Sequence, residues 1–426
     1  MSQDRRIKMA DAFYIGMDLC PDSTQISFYN DIKREPETVN QLNNKDTYMM
    51  PNILFYSIDT GDWYVGSEAA EARFKEEGVI LDELYAKANS EDTVEIDGRN
   101  YTYKQLFLMM VKMHINSFLY RYEGATVRKL VVTIPDYDKN LFKSLSSLPK
   151  ELGIVKDNFF ITSHLDSGLF YIFNQSPELW VNSVALFDYN AEGLHYYRID
   201  STRGRDKDVI TVSHTDYSEK FNMSLFTGDS ILMDATFANI CEAEMKEAYI
   251  SSVFLTGLGF SEKWMNKSRN ILCSGRRVFA GQNIYTKGAC YRAVGGEYEE
   301  FYRKFIIEDE ENVDYDIGIS NGDEENEVFI PITRGGHQWY NTYGKICVIL
   351  DDTDTITIIY RNRRTGEEIR ESVRLHGIPK RPNKTSKFSL EVEFDNPREG
   401  AVVIKDVGFG KLFPTTNKIY RKEFEV

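Results

Sequence analysis

Residues 185–199 read ALFDYNAEGLHYYRI. An apolar strand ends in an acid, Asp188. The chain turns through Tyr-Asn-Ala-Glu-Gly, and a second strand runs over residues 194–199. A strand–acid–turn–strand unit of this kind can hold a nucleotide phosphate and its metal. Such a turn normally needs several glycines, so that backbone N–H groups approach the phosphate oxygens closely. Here only Gly193 remains, and Glu192 adds a negative charge. The stretch therefore reads as the shell of a phosphate site.

Outward from this unit, the first 300 residues alternate strands and helices. Residues 12–19 (AFYIGMDL) and 25–29 (QISFY) form an opening hairpin, and 52–57 and 62–65 pair across Thr60-Gly61. Apolar residues recur at helical spacing over 103–121, at Leu106, Met109, Met110, Met113 and Phe118. A buried strand (129–135) precedes a helix over 139–152 that stops at Gly153. Strand 159–162 leads into helix 165–174. Beyond the central unit come strand 209–213, a long helix over 229–248, strand 252–259 (SVFLTGLG) running into a glycine turn, and a helix from Ser261.

Near residue 300 the texture changes. EDEEN at 308–312 is an acidic break, and from Tyr315 onward alternating runs replace helical periodicity: VFIPI, KICVIL, TITIIYR, ESVRL, FSLEVEF, AVVIKDV. Turns at Asn321-Gly322, Thr365-Gly366 and Glu399-Gly400 punctuate them, the pattern of an antiparallel β-sandwich.

Composition narrows the partners. The net charge of −15 argues against nucleic acid and anionic membrane, which select basic surfaces. No apolar run approaches the roughly 20 residues of a membrane helix, and the first residues carry no secretory signature. Five scattered cysteines without a C-x-x-C pair fit free thiols in a reducing cytoplasm. The six histidines show no metal-ligand spacing, so no metal site is expected; lone histidines are usually structural.

The order of these pieces resembles the actin-like ATPase superfamily, and within it the DnaK-type, seventy-kilodalton heat-shock chaperones. The segments that carry the resemblance are IGMDLCPDSTQISFY, KLVVTIPDYDKN, ITSHLDSGLFYIF, FDYNAEGLHYY, FLTGLGF and FAGQNIYTKGACYRA. In the second half they are YDIGI, VFIPITRGG, TITIIYR and the long run from SVRLHGIPKRP to AVVIKDVG. The resemblance implies a two-lobed actin-like (ribonuclease-H-like) α/β domain over residues 1–300, an acidic linker over 301–312 in which Phe305, Ile306 and Ile307 resemble the family's apolar docking linker, and a β-sandwich resembling the chaperone peptide-binding domain over 313–426; the acidic break 308–312, with few apolar residues to pack, is expected to be exposed. It also implies a nucleotide site, for ATP or ADP with Mg²⁺, around Asp18, Ser23, Thr24, Asp188, Gly193, Gly257 and Gly259. A peptide cleft would be lined by Ile317, Ile319, Ile356 and Ile358, although alternating isoleucines are also the usual pattern of a sandwich core.

The chain departs from that family where its chemistry lies. DLCPDSTQ keeps Asp18 but replaces the phosphate-turn glycine with Leu19 or Cys20, and Pro21 removes a backbone donor. TSHLDSG lacks the glutamate that orients water, with Asp166 as the only substitute. Lys104 lies in the stretch of the catalytic lysine, in an unpersuasive context. Only residues 193–257 separate the second phosphate turn from the adenosine turn, too few for the chaperones' inserted lobe, and the sequence ends after the sandwich without a helical lid. Cys20 reads as an inert packed thiol. The acidic loop NGDEENE (321–327) stands where the chaperones carry an apolar peptide-binding loop. The sequence thus points to a chaperone-like pseudo-ATPase, without a catalytic residue of its own, that binds a protein or extended peptide. A working ATP-dependent chaperone with unorthodox phosphate turns and an actin-like scaffold or filament subunit are the alternatives.

Overall fold

The structure, a computed structural model, describes residues 12–40, 48–122, 124–204, 207–226, 228–261, 263–295, 304–309, 311–321 and 327–426. It divides into two compact units, residues 1–200 with 214–301, and residues 201–213 with 302–426.

The first unit is built on two sheets of one design. In the first, the central strand Ala12–Leu19 pairs antiparallel with Ser23–Asn30 (Met17 opposite Ile26), which pairs antiparallel with Glu35–Thr38. On its other side the central strand runs parallel to Thr126–Ile134 (Met17 opposite Val132), and that strand runs parallel to Phe159–Ser163. Helices cover both faces of a parallel sheet, so the strands read as near-continuous apolar runs. The buried series Ile15, Met17, Leu19 and Leu130, Val131, Val132 follows this rule. In the second sheet Ser183–Tyr189 is central. It pairs antiparallel with Leu194–Thr202 and parallel with Ile250–Thr256, which runs parallel to Arg277–Ala280. His214, at the end of strand Asp208–Asp216 that belongs to this unit, stacks on Tyr197. Asp18 and Asp188 are each the penultimate residue of a central strand.

Local chemistry sets the helix ends. Helix Tyr103–Leu119 opens with a capping box, in which Thr102 Oγ1 accepts from Gln105 N and Gln105 Oε1 accepts from Thr102 N. It buries Leu106, Phe107, Met110, Val111, Ile115 and Phe118. Its fully buried His114, pushed down to about 3 by burial, is a neutral core histidine. The helix expected over 139–152 is two short helices, Lys139–Leu145 and Leu148–Leu152. Ser146 and Ser147 hydroxyls take the carbonyls of Phe142 and Ser144 between them, and Pro149 restarts the second. Gly153 closes it in the left-handed region (φ 68°). The helix expected from Ser261 begins later, at Lys267. Its start is fixed by Asp234, whose carboxylate accepts from the backbone N–H of Asn266, Lys267 and Ser268.

The second unit contains two four-stranded antiparallel sheets. One is ordered Val328–Thr333, Tyr315–Asn321, Thr355–Asn362, Glu368–Arg374; the other is ordered Gly344–Leu350, Ser386–Phe394, Glu399–Asp406, Ile419–Glu425. They share one core, with Ile317, Ile319, Ile356, Ile358 and Tyr360 from the first sheet and Phe388, Leu390, Val392, Val402, Ile404 and Phe424 from the second.

Two expectations are corrected here. Residues 201–213 belong with the second unit. The acidic break 308–312 is not exposed at its described residues: Glu308, Asp309 and Glu311 are half-buried and Asn312 is buried, and the preceding Phe305–Glu308 is a strand pairing parallel with residues 208–211, with Phe305 and Ile307 buried. The apolar pattern of that strand wins over the acidic run that follows it. Proteolysis at Phe305 is therefore disfavoured.

The second unit is also pinned by one acid. Asp406 accepts both guanidinium nitrogens of Arg381 (3.1 and 2.9 Å), the N–H and hydroxyl of Thr416, and the N–H of Gly408. Burial opposes its charge, but these donors hold its carboxyl well below the usual carboxylate range. A depressed folded-state value stabilises above the unfolded value and is lost as pH falls through the folded one. Acid below about pH 4 is expected to lower the unfolding midpoint of this unit, and Asp406→Asn to flatten that slope while lowering the neutral-pH midpoint. Circular-dichroism melts across the acid range check this.

Among the described residues, no helix is long and apolar enough to cross a membrane.

Candidate functional site

Each half of the first unit brings an acid to the end of its central strand, and each acid is met by the first turn of a later helix. His164 opens helix His164–Phe173, and Tyr285 is the second residue of Ile284–Val294. His164 Nε2 lies 2.7 Å from Asp18 Oδ1. The Tyr285 hydroxyl donates to Asp188 Oδ2 at 2.7 Å. The two rings stack on each other, centroids 3.9 Å apart and 15° from parallel. The two acids are thus linked by a His–Tyr stack, each ring bonded to one of them.

Electrostatics follow from this burial. Burial pulls the His164 imidazolium down, but the charge and hydrogen bond of Asp18, aided by Asp188 and Asp136, lift it above its ordinary value. Burial raises the Asp188 carboxyl, with His164 and Tyr285 opposing. Burial and then the Asp188 charge push the Tyr285 hydroxyl far up, so it stays a donor. Burial and then the Asp18 charge raise the half-buried Cys20 thiol.

The first turn is closed by protein groups. Thr24 Oγ1 is buried and donates to Asn52 Oδ1 at 2.7 Å. Asn52 Nδ2 in turn donates to the carbonyl of Cys20 at 2.6 Å. Ser23 sits in the sheet opposite Pro51. In the second turn Asn190 N donates to Gly193 O, and Asn190 Oδ1 accepts from Glu192 N. Gly193 (φ 139°) makes room for Ser218, whose Cβ would lie 2.5 Å from an added Cβ.

Gly257 and Gly259 border a packed ring. A Cβ at Gly257 would lie 2.3 Å from Tyr189 O, and one at Gly259 would lie 2.0 Å from Tyr189 Cδ1. Tyr189 is fully buried among Phe221, Phe260 and Trp264. Asp166, the substitute for the missing glutamate, is locked to Arg292 Nη1 at 2.6 Å and accepts from Thr162 Oγ1. Lys104 faces Glu91, 3.8 Å away. In the second unit Ile317, Ile319, Ile356 and Ile358 are core residues between 0% and 7% exposed, so they line no open cleft. Their strands, Tyr315–Asn321 and Thr355–Asn362, are each flanked on both sides and offer no edge for strand addition. Of the acidic loop, 322–326 lie outside the described residues; Glu327 pairs with Arg370.

Sequence reasoning missed His164, Tyr285 and Asn52. His164 and Tyr285 hold matching places in the two halves, at the start of the helix that follows the last strand.

Residues 35–310 match the model described as Family of unknown function (DUF5716) C-terminal, and the chain belongs to that family. Residues 312–426 match a second model, Domain of unknown function (DUF8552). The two matches meet close to the boundary between the compact units. No curated protein matches the chain.

Proposed function

We propose that this chain is an actin-like, DnaK-related protein that does not turn over nucleotide and acts by binding a protein partner. The carrying observation is the His164–Tyr285 stack between Asp18 and Asp188. A nucleotide brings several negative charges that must be met by backbone donors, Mg²⁺ or a lysine. Here the two acids are linked through the protein's own rings, and further acid charge acts on them.

The actin-like part of the reading is supported by the doubled sheet design, with an antiparallel neighbour on one side of the central strand and two parallel strands on the other. The partner-binding part is supported by the sandwich that follows it. An extended segment adds to a sheet only at an outer strand. Gly344–Leu350 is such a strand; it lacks proline, carries the single charge Lys345, and turns Cys347 and Ile349 outward. The other outer strands carry Pro331 or several charges, which discourage pairing.

Calorimetry with Mg-ATP and Mg-ADP is expected to give no binding heat, and a steady-state assay no turnover. Turnover lost in Asp188→Asn would overturn the pseudo-ATPase reading. As a second arm, the full chain should capture extended peptides from an array and lose them in Ile349→Asp. Equal capture by both proteins would count against this edge.

A further inference from the structure

We infer that Asp18, Cys20 and His164 form a binding site for a thiophilic divalent metal ion of the zinc class. The ligand atoms come from two distant parts of the chain, the hairpin turn and the first turn of helix His164–Phe173. Cys20 Sγ lies 3.5 Å from Asp18 Oδ1 and 3.8 Å from His164 Nε2, and all three atoms lie within 4.8 Å of one another. A tetrahedral zinc ion has bonds of about 2.3 Å to sulfur and about 2.0–2.2 Å to nitrogen and oxygen, which puts its ligand atoms roughly 3.3–3.6 Å apart. The Cys20–Asp18 edge already fits this, and the Cys20–His164 edge has to close by about two tenths of an ångström. The third, His164 to Asp18 at 2.7 Å, is a hydrogen bond that must open by about half an ångström.

Ligand type and charge select the ion. A thiolate with an imidazole and a carboxylate is a zinc-class set, whereas Mg²⁺ and Ca²⁺ take oxygen. The charged groups acting most strongly on Cys20 and His164 are acids: Asp18, Asp22, Asp136 and Asp188. Such a field repels phosphate and is complemented by a dication. Binding displaces the Cys20 thiol proton and the proton His164 Nε2 shares with Asp18; both leave to solvent, and no electron moves. Asp18 and His164 are largely shielded while Cys20 is partly exposed, so entry is from the Cys20 side. Three protein ligands leave the fourth position to solvent. His164 does not lose its stacking on Tyr285, because a ring nitrogen binds in the ring plane.

A rival cluster serves as the internal control. His195 Nδ1 lies 3.2 Å from His214 Nε2 and 3.8 Å from Asp216, a set without sulfur. Metal binding at Cys20 is independent of whether nucleotide binds, so the two measurements fail separately.

The full chain, stripped by chelator, is titrated with Co²⁺ and then Zn²⁺. One equivalent of cobalt is expected to give a thiolate-to-cobalt charge-transfer band in the near ultraviolet with tetrahedral bands in the visible, all removed by zinc. Cys20→Ser should abolish the charge-transfer band. His164→Gln should weaken binding by more than the roughly tenfold to hundredfold cost of an outer-shell change. His214→Ala should change nothing. Zinc-edge absorption of the unmodified protein should report one sulfur among nitrogen and oxygen neighbours, a readout independent of how the variants fold. Absence of the charge-transfer band, its survival in Cys20→Ser, its loss in His214→Ala, or a zinc edge without sulfur would each overturn the site.

Discussion

Arg292→Met is expected to cost the first unit about 3–5 kcal/mol, the usual penalty for breaking a buried ion pair from one side. Arg292 and Asp166 have side chains 2% and 1% exposed, and their charged atoms meet at 2.6 Å. The guanidinium also lies over Phe160 and Phe170. Asp166 is held at the start of helix His164–Phe173, where its N–H donates to Ser163 Oγ. It cannot swing to water when Arg292 is removed. The cost is therefore that of a stranded carboxylate more than of a lost attraction. A second variant separates the two. In Asp166→Leu with Arg292→Met both charges are gone, and most of the stability should return, since apolar replacement of a whole buried pair is often neutral. Denaturant midpoints at unchanged slope measure both. If the double variant is as unstable as the single one, the pair is stabilising in itself and the stranded-charge account fails. The same experiment bears on function, because a residue committed to holding two helices together is not positioned to orient a water.

The sequence was legible where a pattern is local. The apolar runs at 12–19, 129–135 and 252–256 carry the strands of both sheets, and the period-two isoleucines of 355–359 carry a sandwich strand. The two acids at the strand ends were legible for the same reason. What links them was not. His164 and Tyr285 are single residues 121 positions apart by their numbers, and neither has a periodic neighbourhood to announce a role. Their meeting depends on two helices from different halves converging, which no local rule encodes. Arg292 was invisible likewise: a charge near a helix end usually reads as exposed. The acidic run 308–312 misled in the other direction. Its charge dominates any composition window, yet Phe305 and Ile307 just before it decide the local structure by pairing and burial. The four isoleucines of the second unit show how one pattern serves two readings, since alternation fixes which side chains share a face without fixing what covers that face.

Gly259→Ala is expected to destabilise the first unit by about 3 kcal/mol, the upper range for overpacking a filled core. By the resemblance to the chaperones, this glycine would keep an adenosine pocket open. An added methyl would then cost nucleotide affinity and leave the fold alone. The packing predicts the reverse. The new Cβ would lie 2.0 Å from Tyr189 Cδ1 and 2.5 Å from Cε1 and Cγ, so ring or backbone has to move. The ring has nowhere to go, because Phe221, Phe260 and Trp264 surround it at centroid distances of 4.8, 5.6 and 6.3 Å. Nor is the backbone there slack, because Trp264 Nε1 donates to Gly259 O at 2.8 Å. Trimming the obstruction is the decisive control. Tyr189→Leu alone should destabilise by leaving a cavity, but combined with Gly259→Ala it should cost less than the sum of the two, a favourable coupling of about 1–2 kcal/mol as expected for residues in contact. A thermal melt of Gly259→Ala indistinguishable from the parent protein would mean that Tyr189 does not occupy this space. The glycine turn would then border an open pocket, and nucleotide binding would have to be reconsidered.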